Sequence, residues 1–218
     1  MTIAIEDEIR RACPGAALGV LHYHAEVAES GPALLALFDR TVEDLAQRYA
    51  LDQIAALPHV AATRAAYKTL GQDPHRHRNA AEAMLRRIVK GQGLYRINSV
   101  VEVNNLISVT SGYAVGTYDV GELTGGIVLR RAPDGACYDG IGKGRVDIAH
   151  LPVLYDETGA FGNPTSDSQR AMVRPGRREL LTVVYAFDGP MGLAEELRRA
   201  QALLERHCGV RGIETWVV

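Results

Sequence analysis

The stretch of sequence that decides the fold runs from Ile97 to Asp119 and reads INSVVEVNNLISVTSGYAVGTYD. Ser99 and Glu102 have the S-x-x-E spacing of a capping box, in which the two side chains satisfy free N–H groups at the start of a helix. Gly112 is the residue type that most often ends a helix. The β-branched residues in between also suit a strand, but the two end signals favour a helix that Gly112 ends.

Upstream of this stretch, the hydrophobic pattern predicts mostly helices. Residues 1–11 read as a short amphipathic helix, and alternating apolar and polar residues over 16–27 indicate a strand. A 3.6-residue period predicts helices over 32–49 and 59–70, with Pro32 in the first turn of one and Gly71 closing the other. Asn79 is the expected cap of a further helix, with Glu82 three residues later completing a capping-box-like pair.

Downstream of Tyr113, glycine-rich turns separate short β-rich segments. The strands that we predict are 126–131, 136–141, 152–155 and 179–187, followed by a helix over 192–208 and a last strand over 211–218. Helices at the front, strands in the middle and a returning helix and strand imply an α+β layered fold. Because no linker or repeat interrupts the pattern, we predict a single domain over residues 1–218.

The composition excludes several classes of protein. Apolar residues make up 47% and charged residues 23% of the chain, and the net charge is −2, as in ordinary globular proteins. The three cysteines are far apart, which argues against a disulfide framework and for a reducing compartment. The N-terminus does not resemble a signal peptide and no apolar run could span a membrane, so we expect a cytoplasmic protein.

Positive charge is concentrated in one segment, from Arg64 to Arg96. It contains eight Lys and Arg residues but only two acids, Asp73 and Glu82, whereas the flanking regions are acidic. Such a segment can follow a phosphate backbone; alternatively, it is the solvated face of Arg-rich helices.

Two stretches resemble a known family. The first has the pattern R-x-x-Y-K-x-x-G-x-D-P-x-R-x-R and starts at Arg64; it looks like the opening of free-standing B3/B4 domain proteins. The second, from Ile97 to Asp119, is similar without gaps to a stretch of the B3/B4 domain of the phenylalanyl-tRNA synthetase β subunit. The resemblance is strongest over 64–187, so 1–63 and 188–218 are expected to complete the layers. It implies a three-layer α+β domain with a mixed β core flanked by helices.

The same resemblance implies a pocket beside the central motif, which in the synthetase hydrolyses tyrosine wrongly attached to tRNA. The substrate-pocket residues implied here are Gly116, Tyr118, Gly162 and Asn163. Two departures change the expected specificity. The family's histidine falls on Gly116, which we expect to leave more room, and the family's G-G-E segment falls near Gly162 without a glutamate.

Ester hydrolysis needs a positioned water, an oxyanion stabiliser and a shaped pocket. The candidate catalytic residues are Asn104, Asn105, Asp119, Thr165 and Asp167. Each has an ordinary structural alternative: the asparagines could cap or form turns, Asp119 could anchor a loop, and the loop over 162–167 consists of turn-forming residues. Gly-rich segments at 111–112, 142–144 and 159–162 could donate backbone amides to an oxyanion.

Six basic residues are the candidates for phosphate contacts: Arg64, Lys68, Arg76, Arg78, Arg86 and Lys90. Arg64 and Lys68 would share a helix face, and free guanidinium groups suit bidentate phosphate binding. Against this, Arg64 could instead pair with Asp73. His22 and His24 would share one face of a strand, but no third ligand accompanies them, so no metal is expected.

The sequence therefore predicts a protein that binds tRNA or aminoacyl-tRNA, with hydrolysis of a mischarged aminoacyl ester in trans as its possible reaction. Two alternatives stay open: a non-catalytic RNA-binding module, and a pocket protein for a free amino acid or a related metabolite. No cofactor, membrane or DNA partner is expected, and the oligomeric state is left open.

Overall fold

A four-stranded antiparallel sheet forms the centre of the molecule, and its strands in spatial order are Glu214–Val217, Ala17–Val27, Gly176–Ala186 and Ala114–Asp119. The computed structural model describes all 218 residues. Its strands are β1 (Ile3–Ile5), β2 (Ala17–Val27), β3 (Ala114–Asp119), β4 (Ile127–Arg131), β5 (Cys137–Gly140), β6 (Gly144–Asp147), β7 (Pro152–Tyr155), β8 (Ala160–Gly162), β9 (Gly176–Ala186) and β10 (Glu214–Val217). The two longest, β2 and β9, pair along their whole length, from Ala17 opposite Ala186 to Val27 opposite Gly176.

One face of the central sheet packs against helices. The six helices are α1 (Asp7–Ala12), α2 (Pro32–Arg48), α3 (Pro58–Leu70), α4 (Ala80–Val89), α5 (Ser99–Ser111) and α6 (Leu193–His207). Leu21 and Leu180 of the sheet meet Phe38 of α2, Val103 of α5 and Leu197 of α6 in one buried cluster. Since alternate residues of a strand face opposite sides, the intervening residues supply the other face.

That other face packs against a second sheet, whose strand order is β1-β4-β7-β8. Val20 and Val183 lie in one cluster with Leu129 of β4, Leu154 of β7 and Phe161 of β8. Strands β1 and β4 are parallel and the other pairs are antiparallel, while α1 and α3 join the same cluster and β5 and β6 form a separate hairpin. The predicted three-layer α+β fold with a mixed β core is confirmed.

Most predicted elements are present, with two corrections near helix starts. The N-terminal residues are not one helix: Ile3–Ile5 pairs with β4, and only Asp7–Ala12 is helical. Helix α5 is capped by Asn98, whose side chain accepts from the Val101 N–H, so Ser99 is not its cap. Glu102 nevertheless reaches back to the Ile97 N–H at 3.2 Å.

A third correction concerns residues 114–119, where no strand was predicted and where Asp119 was a candidate loop anchor. They form strand β3 instead, because Gly112 ends α5 in a left-handed conformation (φ 86°) and the chain returns along β9. Strand β3 lies at the edge of the central sheet. No helix of the protein combines the length and the apolar run needed to cross a membrane.

Candidate functional site

A cavity of about 220 Å³ opens beside the edge strand β3, between α4, α5 and the loop that follows β8. Most of its wall is apolar, and its polar side chains are two amides, one hydroxyl and one carboxyl. The lining residues are Ala80, Met84, Ile97, Val101, Asn104, Asn105, Val115, Thr117, Ile141, Asp167, Met172 and Val173. An apolar pocket with a few convergent polar groups is the usual form of a small-molecule site. We call it the apolar cavity.

Asn104 of α5 is hydrogen-bonded to β3 through both ends of its side-chain amide. Its amide nitrogen donates to the Val115 carbonyl at 3.1 Å, and its carbonyl accepts from the Thr117 hydroxyl at 3.2 Å. Both ends of this amide are therefore used inside the protein, although Asn104 lies in the middle of α5 and neither caps the helix nor forms a turn. Asn105 also lines the apolar cavity, and it is the amide that is available to a ligand.

Asp167 is the only ionisable side chain in the wall of the apolar cavity. Its carboxylate accepts hydrogen bonds from the Tyr118 hydroxyl at 2.8 Å and from the Asn163 N–H at 3.3 Å. Burial raises the pKa of Asp167 to about 7, and these two hydrogen bonds and Lys143 oppose the shift. A carboxyl group with such a pKa can take up or release a proton near neutral pH.

Gly116 and Gly162 make room for Tyr118. A Cβ atom at Gly116 would lie 2.2 Å from the Tyr118 hydroxyl, and one at Gly162 would lie 2.3 Å from it. That hydroxyl also lies 2.6 Å from the hydroxyl of Tyr185. The expectation that Gly116 widens the pocket is wrong, because the buried Tyr118 ring already fills the space. None of the three residues Gly116, Tyr118 and Gly162 lines the apolar cavity. Tyr118 holds Asp167 by a hydrogen bond from outside the cavity, and Gly116 and Gly162 leave room for the Tyr118 ring.

Asn163 shapes the loop that carries Thr165 and Asp167. Its side-chain carbonyl accepts from the N–H groups of Thr165 at 2.7 Å and Ser166 at 3.1 Å, and its amide donates to the Tyr138 hydroxyl at 2.6 Å. The Thr165 hydroxyl bonds the Tyr67 hydroxyl at 2.8 Å. These contacts hold the loop, so Asn163 positions the candidate catalytic residue and is not part of the cavity wall.

Asp119 does not join the other candidates. Its carboxylate accepts from the Gly121 N–H at 3.1 Å and lies 3.6 Å from the Arg178 guanidinium. It lines neither the apolar cavity nor the cavity described next. The loop-anchor alternative therefore describes Asp119 better than a catalytic role.

A second cavity, of about 340 Å³, lies on the other side of α4, and we call it the cationic cleft. Four of the six predicted phosphate contacts line it: Arg76, Arg78, Arg86 and Lys90. Four more polar or basic side chains that were not among the predicted phosphate contacts join them: Arg87, Gln92, Lys143 and Thr165. No acidic residue lines the cleft, whereas Lys68 is exposed on α3 outside it.

Arg64 is turned inward and pairs with Glu82, not with Asp73. Its guanidinium lies 3.1 Å from both carboxylate oxygens of Glu82, which is completely buried, and 3.2 Å from the Pro74 carbonyl. The Arg86 Nε donates to Glu82 at 2.9 Å, and the Arg78 Nε lies 3.8 Å away. A paired charge of this kind is costly to break, so Glu82 orders the arginines of α3 and α4.

The two cavities share walls. Helix α4 contributes Ala80 and Met84 to the apolar cavity, and Ala83 and Arg86 to the cationic cleft. The turn between β5 and β6 contributes Ile141 to the apolar cavity and Lys143 to the cationic cleft. The loop after β8 contributes Asp167 to the apolar cavity and Thr165 to the cationic cleft. A ligand with an apolar part and a nearby phosphate could therefore occupy both.

Sequence reasoning missed much of the apolar wall. Met84, Ile97, Ile141 and Met172 line the cavity, and none of them was a predicted site residue. Ile97 and Ile141 keep 58% and 41% of their surface exposed. The local sequence around these two isoleucines does not predict their exposure, since it depends on which elements meet across the cavity.

The chain matches a known protein family. The family model described as "B3/4 domain" matches residues 62–209. Among solved structures, an N-terminal fragment of the phenylalanyl-tRNA synthetase β subunit from Pyrococcus horikoshii aligns with 97% of this chain at 12% identity and a TM-score of 0.48. The chain spans 50% of that fragment. A comparison with curated proteins gave no significant match. Since the family match covers about two thirds of the chain, the protein belongs to the B3/4 domain family.

Proposed function

We propose that this protein binds the acceptor end of an aminoacyl-tRNA in the cytoplasm and hydrolyses the ester that joins the amino acid to the terminal ribose. The observation that carries the proposal is the shared wall between the apolar cavity and the cationic cleft. An aminoacyl ester has an apolar or weakly polar side chain on one side and phosphates on the other. Membership of the B3/4 domain family also supports a tRNA-related role.

Asp167 is the proposed general base. With a pKa of about 7, a large fraction of its carboxyl groups is ionised at neutral pH and can take a proton from a water molecule in the apolar cavity. The water oxygen attacks the ester carbonyl, and the tetrahedral intermediate then expels the ribose oxygen, which takes the proton back from Asp167. The products are the free amino acid and the free ribose hydroxyl.

The negative charge on the carbonyl oxygen needs hydrogen-bond donors. The backbone N–H of Thr117 is one candidate. Asp119 N–H donates to the Ala171 carbonyl at 3.1 Å on the side of β3 that faces away from β9, and backbone groups of every second residue in a strand point the same way. The N–H of Thr117 therefore faces the edge beside the apolar cavity. The Asn105 amide is the second candidate donor.

The non-catalytic alternative has one observation in its favour. Asp167 already accepts two hydrogen bonds from the protein, so its carboxylate could hold the loop after β8 without reacting with water. A protein that binds tRNA in this way would show salt-dependent affinity and no turnover. The free amino acid alternative predicts binding that does not depend on the cationic cleft.

The deciding experiment incubates the protein with a panel of tRNAs that carry different amino acids and follows the loss of ester. We expect catalytic turnover with an apolar amino acid. Strong selection for a substrate hydroxyl needs a site built to hydrogen-bond it, whereas a mostly apolar wall discriminates only about 10- to 200-fold, so we expect no strong preference for tyrosine over phenylalanine. Salt-dependent tRNA binding without ester loss would favour the non-catalytic module, and an absence of tRNA binding at low salt would exclude both tRNA functions.

A further inference from the structure

The connection between α4 and α5 presents two large apolar side chains to solvent. Along residues 94–97 the chain alternates: Leu94 packs against the core and Arg96 is held by Glu102 at 3.5 Å, whereas Tyr95 and Ile97 are 64% and 58% exposed. Consecutive Cα atoms are about 3.8 Å apart, so those of Tyr95 and Ile97 lie at most about 7.6 Å from each other. Two exposed apolar side chains this close together in the chain form a small apolar surface.

That surface lies where the two cavities meet. Ile97 lines the apolar cavity, and Arg87 lines the cationic cleft. The Arg87 guanidinium carbon lies 4.4 Å from the centre of the Tyr95 ring, a cation–π contact that covers one face of the ring. The high exposure of Tyr95 leaves the opposite face open.

We propose that Tyr95 is the stacking platform for the nucleobase of the terminal nucleoside, the one whose ribose carries the aminoacyl ester. This inference rests on the proposed function. Only a ribose separates the base from the ester, so a base must bind within about one nucleoside length of the cavity that holds the amino acid. Tyr95, two residues from the cavity wall at Ile97, lies at that distance. Every base has a π face, and aromatic side chains are the usual partners for unpaired bases.

Arg87 gives the platform a second role. Its guanidinium contacts the Tyr95 ring and also lines the cationic cleft, so the same side chain can stiffen the ring and attract the phosphate that precedes the terminal nucleoside. An arrangement of this kind binds the end of a single strand without reading its sequence.

The test combines two RNAs with three variants. The RNAs are an uncharged tRNA with its complete terminal nucleoside and the same tRNA with an abasic terminal ribose. The variants are Tyr95→Ala, Tyr95→Phe and, as a control at an exposed apolar residue outside both cavities, Met191→Ala (89% exposed). The dissociation constants are measured at one low salt concentration.

Loss of one stacked base weakens binding roughly 5- to 150-fold. We expect Tyr95→Ala to cause a loss in this range with the complete tRNA and less than about 2-fold with the abasic tRNA. Tyr95→Phe and Met191→Ala should stay within about 2-fold on both RNAs. If Tyr95→Ala weakens both RNAs equally, or neither, the stacking role is overturned while the proposed function stands. If the unaltered protein binds neither RNA, both are overturned.

Discussion

At the scale of single residues, the chemistry depends on how Asp167 is surrounded. Tyr118, Tyr185 and Tyr138 surround this carboxyl group with phenols whose own pKa values are raised by burial. Such a site disfavours the carboxylate, and the two hydrogen bonds that Asp167 accepts only partly restore it. Burial raises the pKa and the Tyr118 hydrogen bond opposes that rise, so residues outside the cavity help to set the reactivity of Asp167.

The first prediction concerns the pH dependence of ester hydrolysis. Because the carboxylate form of Asp167 is the base, the rate constant above background should rise with pH and level off above about 7. Asp167→Asn should lower it by at least about 100-fold. Both are measured as ester loss under single-turnover conditions, with the spontaneous rate subtracted at each pH. Asp139→Asn, which removes an exposed carboxylate from the neighbouring hairpin, is the control; a rate that falls equally in both variants would rule out Asp167 as the base.

The second prediction concerns Gly116. A methyl group there would overlap the Tyr118 hydroxyl, which is fixed by Asp167 and Tyr185, so Gly116→Ala should lower the free energy of unfolding by about 1–3 kcal/mol. The measurement is urea denaturation. Gly31→Ala is the control, because no atom lies within 4 Å of its added methyl group and its φ is −70°; it should cost less than about 1 kcal/mol. Equal costs at the two positions would contradict the packing role of Gly116.

At the scale of elements, α4 organises the site. Its N-terminus is capped by Asn79, whose side chain accepts from the Glu82 N–H at 2.8 Å. The Glu82 carboxylate then points into the protein and forms ion pairs with Arg64 and Arg86. One face of the helix completes the apolar cavity and another completes the cationic cleft. Two of the four cleft arginines, Arg78 and Arg86, are therefore positioned by a single buried carboxylate.

The third prediction separates stability from binding. Arg64→Ala removes the partner that contacts both oxygens of the buried Glu82. Breaking a buried pair costs roughly 3–5 kcal/mol, and because Arg86 still contacts Glu82 we expect about 2 kcal/mol, measured by urea denaturation. Arg76→Ala, on the exposed loop before α4, should change stability by less than about 0.5 kcal/mol. A reversed order of these costs would restore Arg64 as a phosphate contact.

The sequence predicted the long elements of the fold because their signals are local. Helix α3 ends at Gly71 and α4 begins at Asn79, as their caps indicate. Strands β1, β6 and β8 were missed because each has only three or four residues and is defined by a partner elsewhere in the chain. The position of β3 was missed for the same reason, since only pairing with β9 distinguishes it from a loop.

The candidate site was predictable only where its residues stand out in the sequence, and not where it depends on contacts between distant segments. Asp167 and Asn105 stand out as polar residues in segments that the family resemblance brings together, and both line the apolar cavity. The inward turn of Arg64 depends on Glu82, which is 18 residues away in sequence. The filling of the space at Gly116 depends on the rotamer of Tyr118. Neither is visible until the layers are assembled.

At the scale of the whole molecule, β2 and β9 join the layers. Alternate residues of each strand contribute to the cluster with the helices and to the cluster with the second sheet. A break in either strand would therefore disturb both clusters. This arrangement gives a physical reason to expect one cooperative unit.

The fourth prediction follows from that coupling and is that residues 1–218 behave as a single domain without metal. Urea denaturation should give coincident transitions by the fluorescence of Trp216 on β10 and by far-ultraviolet circular dichroism. Limited proteolysis that yields two stable fragments would contradict the single domain. Of the two histidines of β2, His22 lies 2.8 Å from the Glu179 carboxylate. One equivalent of zinc in the purified protein would contradict the prediction that the domain holds no metal.

The fifth prediction concerns the electrostatics of tRNA binding. The net charge of −2 gives the molecule no general attraction for RNA, so the attraction must come from the cationic cleft. Each neutralised phosphate changes the slope of log K against log salt by about −0.7 for single strands and −0.9 for duplexes. Three or four contacts should therefore give a slope of roughly −2 to −4, measured as equilibrium binding across a salt series.

Removing two of the cleft cations should change that slope in proportion. Arg76→Ala/Arg78→Ala should reduce its magnitude by up to about two. Arg177→Ala/Arg198→Ala removes the same charge from exposed residues outside the cleft and should leave the slope within about 0.5. Because the two double variants have equal net charge, a difference between them measures phosphate contacts in the cleft and not a change in overall charge. Equal slopes would mean that the cationic cleft is only a solvated face of α4 and its flanking loops.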